Sequence, residues 1–185
     1  MKTARFLLRL PAALHRTLTA RAAALELSMN EFCVRKLAGP ESPLIRDVAA
    51  LDVSARAQVV VGAQLVGLIV HGSWARGETR AASDVDVLVV VEGKLALTRA
   101  LYRQWDEVSL SLSWEGRAVD AHFLHLPADP DRAGGVWCEA AVDGIVLSDF
   151  DGRIEETLRR IRGAVADGRL VRKHAHGQPY WTVAA

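Results

Sequence analysis

The sequence predicts an α+β protein, in which a small N-terminal unit precedes a domain with a mixed sheet flanked by helices. Two short runs rich in β-branched residues, 65–70 and 87–91, are apolar enough to be buried strands. A segment with helical periodicity and a further strand-like run follow them. The 185 residues, half of them hydrophobic, suffice for one domain of ordinary size and a small appendage.

Charge is distributed unevenly along the chain. Residues 1–40 carry seven Lys and Arg against two Glu, whereas the rest of the chain carries sixteen basic and twenty acidic residues. No apolar run approaches the length that crosses a bilayer, and arginines interrupt the N-terminal segment, unlike a signal peptide. We therefore expect a cytoplasmic protein without a membrane partner, whose Cys33 and Cys138 are reduced.

Residues 3–10 alternate in the way that is typical of a strand. Arg5, Leu7 and Arg9 share one face, and apolar residues share the other. Pro11 ends this strand and suits the first turn of a helix.

Two short helices are predicted after the strand. The first, over about residues 12–25, carries a leucine stripe. Ser28 and Glu31 have the spacing of a capping box, so a second helix begins there, and it ends at Gly39. One strand and two short helices bury little apolar area alone, so this unit needs a partner chain.

This N-terminal pattern resembles the ribbon-helix-helix fold of Arc-type and HicB-type repressors. In that fold, two chains pair their strands into an antiparallel ribbon that enters the DNA major groove. The resemblance implies a homodimer on operator DNA. It places five residues at the DNA: Arg5, Leu7 and Arg9 on the groove-facing side of the ribbon, and Ser28 and Asn30 where a helix N-terminus anchors a phosphate. A dimerisation module without DNA affinity is the alternative, because Leu7 stands where the family often has a polar base reader.

A composition change marks the domain boundary. Residues 39–43 contain two prolines and a glycine, which indicates a linker. We place the linker at 40–43, between an N-terminal domain of residues 1–39 and a larger domain of residues 44–185. Helical patterning then leads into the first strand of the larger domain.

The next stretch carries the pattern with the clearest chemistry. Gly72-Ser73 leaves the first strand and opens a short helix at about 73–77, whose N–H groups would face an anion such as a triphosphate. Asp84 and Asp86 are two residues apart, so both point to one face of a strand. Paired carboxylates repel unless a cation lies between them, and hard oxygen donors with phosphate co-ligands suit Mg²⁺. An Asp-x-Asp pair alone is more often a solvated turn.

This arrangement resembles the minimal nucleotidyltransferases of the DNA polymerase β superfamily, whose motif is Gly-Ser, ten residues and then Asp-x-Asp. The matching residues are Gly72, Ser73, Ala75, Arg76, Gly77, Ser83, Asp84 and Asp86. The family also has a third carboxylate on a later strand. Asp120, in the alternating run 117–126, is its best match.

The resemblance implies a role for each of these residues. It implies ATP as the substrate and two Mg²⁺ ions held by the catalytic carboxylates Asp84, Asp86 and Asp120. The nucleotide-binding residues would be Gly72, Ser73, Arg76 and Ser83. An acceptor hydroxyl near Asp120 would attack the α-phosphorus and release pyrophosphate. His122 shares the strand face of Asp120 and is a weaker candidate for an acceptor contact.

Periodicity predicts the remaining elements. They are helices at 95–105, 136–142 and 153–166, the strand carrying Asp120, and a strand at 144–149. We expect Trp105 and Trp114 to pack in or beside the core, Glu139 to lie on a solvated helix face, and the tail at 168–181 to pack onto the body.

Both resemblances point to a toxin-antitoxin component. Minimal nucleotidyltransferases of this type often adenylylate a partner toxin, and ribbon-helix-helix domains often belong to antitoxins that repress their own operon. Two alternatives stay open: a small-molecule adenylyltransferase of the kind that modifies antibiotics, and an inactive nucleotide-sensing DNA-binding regulator.

Overall fold

The computed structural model describes residues 7, 9–10, 12–24, 28–37, 47–175 and 178–184. The helices are α1 (Ala12–Ala24), α2 (Met29–Leu37), α3 (Val48–Val61), α4 (Gly72–Arg76), α5 (Arg99–Ser109), α6 (Gly135–Asp143) and α7 (Arg153–Ala166). The strands are β1 (Leu65–His71), β2 (Val85–Val91), β3 (Val119–His125), β4 (Ile145–Asp149), β5 (Leu170–Ala175) and β6 (Gln178–Val183). None of the helices in these ranges is long and apolar enough to cross a membrane.

A four-stranded mixed sheet forms the centre of the larger domain, with the order β3-β2-β1-β4. Strand β1 pairs antiparallel with β2 and with β4, whereas β2 and β3 run parallel. The parallel pair needs a crossover connection, and α5 supplies it. This architecture confirms the predicted α+β class with a mixed sheet flanked by helices.

Helices cover both faces of the sheet. On the first face, α3 and α5 pack against the alternate strand residues that include Val85, Val87 and Val89. On the second face, α6 and α7 pack against the other set, which includes Leu88 and Val90. Because β1 and β2 are covered on both faces, they read as continuous apolar runs, as buried strands do.

Most predicted elements lie close to where the sequence placed them, with two corrections. Helix α5 begins at Arg99 instead of residue 95, because the Thr98 hydroxyl accepts a hydrogen bond from the Leu101 amide at 3.3 Å and caps the helix there. The tail packs onto the body as expected. It does so as an antiparallel hairpin of β5 and β6, which the sequence pattern did not predict.

The N-terminal predictions are tested only in part. The Ser28 hydroxyl accepts a hydrogen bond from the Glu31 amide at 3.1 Å, which confirms the predicted N-cap of α2. Residues 7, 9 and 10 carry no strand pairing in this single chain, and the rest of the predicted strand lies outside the described residues. The ribbon therefore stays a prediction, as do the linker at 40–43 and the domain bounds, since the linker also lies outside those residues.

Candidate active site

The register of three strands places three polar side chains in one row, which we call the catalytic row. His71 at the end of β1 lies opposite Asp86 on β2, and Asp86 lies opposite Asp120 on β3. Residues directly opposite each other point to the same face of a sheet, here the second face, since Asp86 alternates with the buried Val85 and Val87. The sequence placed Asp84 and Asp86 on one strand, but β2 begins at Val85, so Asp84 lies outside it, in the exposed loop that leads into β2.

Gly72 makes the close approach on which this row depends. A Cβ atom built on Gly72 would lie 2.1 Å from Asp86 Oδ2, and the residue has a φ of +74°. Both features require glycine, because other residues would collide with the carboxylate and rarely adopt that backbone conformation. The close approach to Asp86, the second aspartate of the motif, thus explains why the motif requires glycine at position 72.

Burial sets the electrostatics of the row. Burial raises the pKa of Asp86, the negative charges of Asp120 and Asp84 raise it further, and His71 opposes them. Burial also lowers the pKa of His71, although Asp86 attracts the protonated imidazole. Within the described residues the buried Nε2 of His71 has no hydrogen-bond partner. A cation beside Asp86 would relieve the clustered negative charge.

Asp120 and His122 line the open side of the row. Their side chains are 57% and 56% exposed, and His122 Nε2 lies 3.8 Å from Asp120 Oδ2. The prediction that these two residues share a face is therefore confirmed. A molecule arriving from solvent can reach both.

The predicted phosphate-binding residues lie at α4 and in the loop that follows it. Helix α4 spans five residues, one position earlier than predicted, and ends where Gly77 takes a left-handed φ of 71°. Arg76 Nε donates to Glu78 Oε2 at 2.6 Å, so a phosphate would have to compete with that carboxylate. The Ser83 hydroxyl accepts from the Arg80 amide at 2.9 Å, which stabilises the loop before Asp84.

The donor set fits Mg²⁺ only with help from a bound nucleotide. Among the described residues, no three His, Cys, Asp or Glu side chains form a group that could hold a metal ion by themselves. The row and its loop nevertheless offer adjacent carboxylate oxygens, and Mg²⁺ is commonly bound by one or two carboxylates together with substrate phosphates and water. Asp84, Asp86 and Asp120 fit that type of shared site, and their role as metal ligands stays a prediction.

Two residues, His71 and Glu139, have surroundings that the sequence did not predict. His71 carried no motif signal, because its place follows from the pairing of β1 with β2. Glu139 on α6 was expected on a solvated helix face, and that expectation is wrong: it is half-buried and accepts hydrogen bonds from Trp181 Nε1 at 2.7 Å and from Arg172 Nη2 at 3.3 Å. The carboxylate joins the C-terminal hairpin to α6.

Two predicted structural tryptophans lie where expected. Trp105 and Trp114 are both buried in the core of the first face, and Trp105 makes an edge contact with Phe123 at a centroid distance of 6.1 Å. Neither is placed to stack on a base at the surface.

The predicted DNA-binding residues within the described ranges are all exposed. Leu7 is 83% exposed, and Arg9, Ser28 and Asn30 are also at the surface. Arg5 lies outside the described residues. Exposure is compatible with DNA contact but does not test it.

Comparison with known families gave two matches. The profile described as "Nucleotidyltransferase domain" matches residues 60–128, a range that contains β1, β2, β3 and the whole catalytic row. The profile described as "HicB family" matches residues 3–37.

Comparison with individual proteins added less. One similar solved structure, described as "Crystal structure of the toxin-antitoxin with AMP-PNP", shares 16% identity and covers 62% of this chain and 84% of that chain, at a TM-score of 0.44. That similarity is too low to carry a statement about function. No curated protein matches the chain.

Proposed function

We propose that the chain, whose residues 60–128 match a nucleotidyltransferase profile and whose residues 3–37 match a HicB-family profile, transfers a nucleotidyl group from a nucleoside triphosphate, most simply ATP, to an acceptor hydroxyl. The observation that carries this proposal is the catalytic row, in which Asp86 lies between His71 and Asp120 and against the bare Cα of Gly72. The exposed Asp84 and Asp120 lie beside Asp86, where a charged ligand could reach them from solvent.

Residues at α4 would bind the triphosphate. The backbone N–H groups of Gly72 and Ser73 would donate to the β- and γ-phosphates. Arg76, which now pairs with Glu78, would bind a phosphate oxygen instead. Two Mg²⁺ ions, held by Asp84, Asp86 and Asp120 together with the phosphates, would supply charge neutralisation at the phosphates and lower the pKa of the acceptor hydroxyl.

Transfer would then require positioning more than covalent chemistry by the protein. The acceptor oxygen attacks the α-phosphorus, the α–β anhydride bond breaks, and pyrophosphate leaves with the bonding electrons. The exposed carboxylate of Asp120 would accept the proton of the acceptor hydroxyl. Its open surroundings also suit a large acceptor, such as a side chain of another protein.

The HicB-family segment supports a second part of the proposal. A ribbon-helix-helix dimer would bind operator DNA through Arg5, Leu7 and Arg9, with Ser28 and Asn30 at the phosphates. The excess of basic residues in 1–40 favours contact with a phosphate backbone. An enzyme joined to such a domain is most simply the autoregulating antitoxin of a toxin-antitoxin pair in the cytoplasm, with the toxin as acceptor.

Label transfer tests the enzymatic part. The purified chain is incubated with Mg²⁺, each α-labelled nucleoside triphosphate and a lysate of the source cell, and Asp84→Asn serves as the matched inactive variant. We expect label on one protein with wild type only. Label on a small molecule would indicate that the acceptor is an antibiotic-like compound and not a toxin protein. Tight ATP binding without transfer to any acceptor would overturn the proposal in favour of a nucleotide-sensing regulator.

Salt-dependent DNA binding tests the second part. Since phosphate contacts dominate such affinities, binding of a dimer to its near-palindromic operator should weaken steeply with salt. Changing Arg5 and Arg9 together to Ala should abolish it, whereas Arg103→Ala, on the exposed side of α5, should not. Unchanged duplex binding by the double variant would refute the ribbon assignment.

A further inference from the structure

We propose that the turn formed by residues 114–117 positions both halves of the nucleotide-binding motif, which are helix α4 and the loop that carries Asp84. Within this turn, Arg117 is the residue that fixes the position of Asp84. This inference rests on the proposed nucleotidyl transfer and adds a positioning residue that touches neither nucleotide nor acceptor. The turn lies immediately before β3, the strand that carries Asp120.

Arg117 holds the loop that delivers Asp84. Its Nη1 donates to the carbonyl oxygen of Arg80 at 2.7 Å and to that of Ser83 at 3.0 Å. The Ser83 hydroxyl in turn accepts from the Arg80 amide at 2.9 Å. Because Ser83 directly precedes Asp84, the guanidinium fixes the backbone from which the first aspartate projects.

The same turn holds the helix at the other half of the motif. Trp74 Nε1 donates to Glu115 Oε2 at 3.0 Å, and the Trp74 ring packs on the Trp114 ring at a centroid distance of 4.9 Å and an angle of 50°. Trp114 is 1% exposed and belongs to the core of the first face. Helix α4, with its Gly72 and Ser73 amides, is thereby anchored to the turn from behind.

The turn has the stiffness that such a role needs. Trp114 and Arg117 exchange two backbone hydrogen bonds of 3.0 Å each, around Glu115 and Gly116 with φ of 52° and 75°. Two central residues with positive φ form the tight hairpin type of turn. The Val85 amide also donates to the Ala118 carbonyl at 2.9 Å, which ties the start of β2 to the start of β3.

Holding both halves from one rigid turn matters because transfer depends on geometry. Metal and phosphate sites lose rate steeply when a ligand shifts by about 1 Å. The Arg117 guanidinium donates to two loop carbonyls and is not among the predicted metal or phosphate ligands, so its loss should loosen Asp84 without removing a ligand. The expected effect is a weaker site for the metal-nucleotide complex, with the fold retained.

Arg117→Met tests this inference, with Arg103→Met as the matched control on exposed α5. Hydrogen exchange of the segment around 80–84 should rise in Arg117→Met alone, and its melting temperature should fall by only a few degrees. The Mg²⁺ concentration for half-maximal transfer should rise about tenfold or more, and saturating Mg²⁺ should restore part of kcat. Unchanged hydrogen exchange of the loop in Arg117→Met would overturn the positioning role. So would a loop that exchanges faster while the Mg²⁺ dependence of transfer stays unchanged.

A second pair of variants keeps the test valid if Arg117→Met does not fold. Glu115→Ala removes the oxygen that accepts the hydrogen bond from Trp74 Nε1, whereas Glu115→Gln keeps a side-chain carbonyl oxygen that can accept it. Only Glu115→Ala should show faster exchange in α4 and a higher Mg²⁺ requirement. Equal behaviour of the two would contradict the role of the turn.

Failure of the proposed function can be told apart from failure of this inference. If wild type transfers no label, exchange of the segment around 80–84 is measured with Mg²⁺ and a non-hydrolysable ATP analogue. Protection that appears in wild type and is lost in Arg117→Met supports the positioning role in a binding site that does not turn over. No difference between the two proteins would refute it.

Discussion

The two faces of the central sheet differ most at the ends of the strands where the catalytic row lies. On β3, Val119, Ala121 and Phe123 point to the first face and are buried, while Asp120 and His122 point to the second and are more than half exposed. On β2, Val85 and Val87 are buried completely, whereas Asp86 between them is only partly buried.

This difference shows how far the helices α6 and α7 extend over the second face of the sheet. Helices α3 and α5, together with Trp114, close the first face up to the start of β2 and β3. Helices α6 and α7 cover the second face over Leu88 and Val90 but leave the row beside Gly72 open. The closed face should therefore control stability, and the open end of the other face should control chemistry.

The strongest test of this division is Asp86→Asn. Transfer should fall by ~10³-fold or more, since the change removes a charged donor at the centre of the row. Stability should not fall, because burial and the neighbouring carboxylates raise the pKa of Asp86, which means that the folded chain disfavours its charged form. Pyrophosphate release and thermal melting measure the two effects, with the exposed Asp106→Asn on α5 as control. Near-normal turnover in Asp86→Asn would end the assignment.

Phe123→Ala examines the closed face. Phe123 is 4% exposed and makes edge contacts with Tyr102 and Trp105 at 5.2 and 6.1 Å. Truncation should lower the free energy of unfolding by about 3 kcal/mol, while kcat per folded molecule stays unchanged. Urea titration gives the first quantity, and Phe123→Leu should lose clearly less. A large loss of kcat in folded Phe123→Ala would show that the two faces are not separable.

The comparison of Gly72→Ala with Gly77→Ala tests whether transfer depends on the close approach of Gly72 to Asp86 at the open end of the second face. Both glycines have positive φ, +74° and +71°, but a Cβ meets Asp86 only at Gly72 and open space at Gly77. Each change should cost about 1–2 kcal/mol of stability from backbone strain. Only Gly72→Ala should also displace Asp86 and lower transfer, by at least about tenfold relative to Gly77→Ala. Equal activity of the two variants would exclude a role for the close approach.

The smallest expected effect is that of Trp181→Phe at the C-terminal hairpin. The change removes the hydrogen bond to Glu139 and keeps most of the ring, so stability should fall by about 1 kcal/mol. Tyr180→Phe, at an exposed position on the same strand, should have no effect. Thermal melting distinguishes them. A loss of transfer without a loss of stability in Trp181→Phe would make Glu139 part of the site.

The parts of the site that depend on spacing along the chain could be predicted from the sequence. The motif spacing located Asp84 and Asp86, although strand alternation applies only to Asp86, because β2 begins at Val85. Asp120 was identified because the family resemblance requires a third carboxylate on a strand and the run around Asp120 alternates. His71 was missed because its position depends on the register between β1 and β2, which a connection of thirteen residues does not encode locally. Arg117 was missed for the same reason, since its partners Arg80 and Ser83 lie far away in sequence.

Two other differences concern the ends of elements and the tail. Thr98 moved the start of α5, because a capping hydroxyl overrode an apolar periodicity that began earlier. The tail, rich in charged residues and His, lacked the apolar alternation of a strand, and it forms a hairpin whose Trp181 packs against the second face. The DNA-contacting residues depend on a partner chain and stay predictions.

Paramagnetic broadening tests the central claim, that the open end of the second face binds a metal-nucleotide complex. Mn²⁺ replaces Mg²⁺ in a titration with a non-hydrolysable ATP analogue, and backbone amide resonances of the isotope-labelled chain are followed. Broadening should centre on Gly72, Asp86 and Asp120 and should vanish in Asp86→Asn. Broadening centred instead on the shallow groove lined by Leu126 and Arg160, or no selective broadening, would contradict the claim.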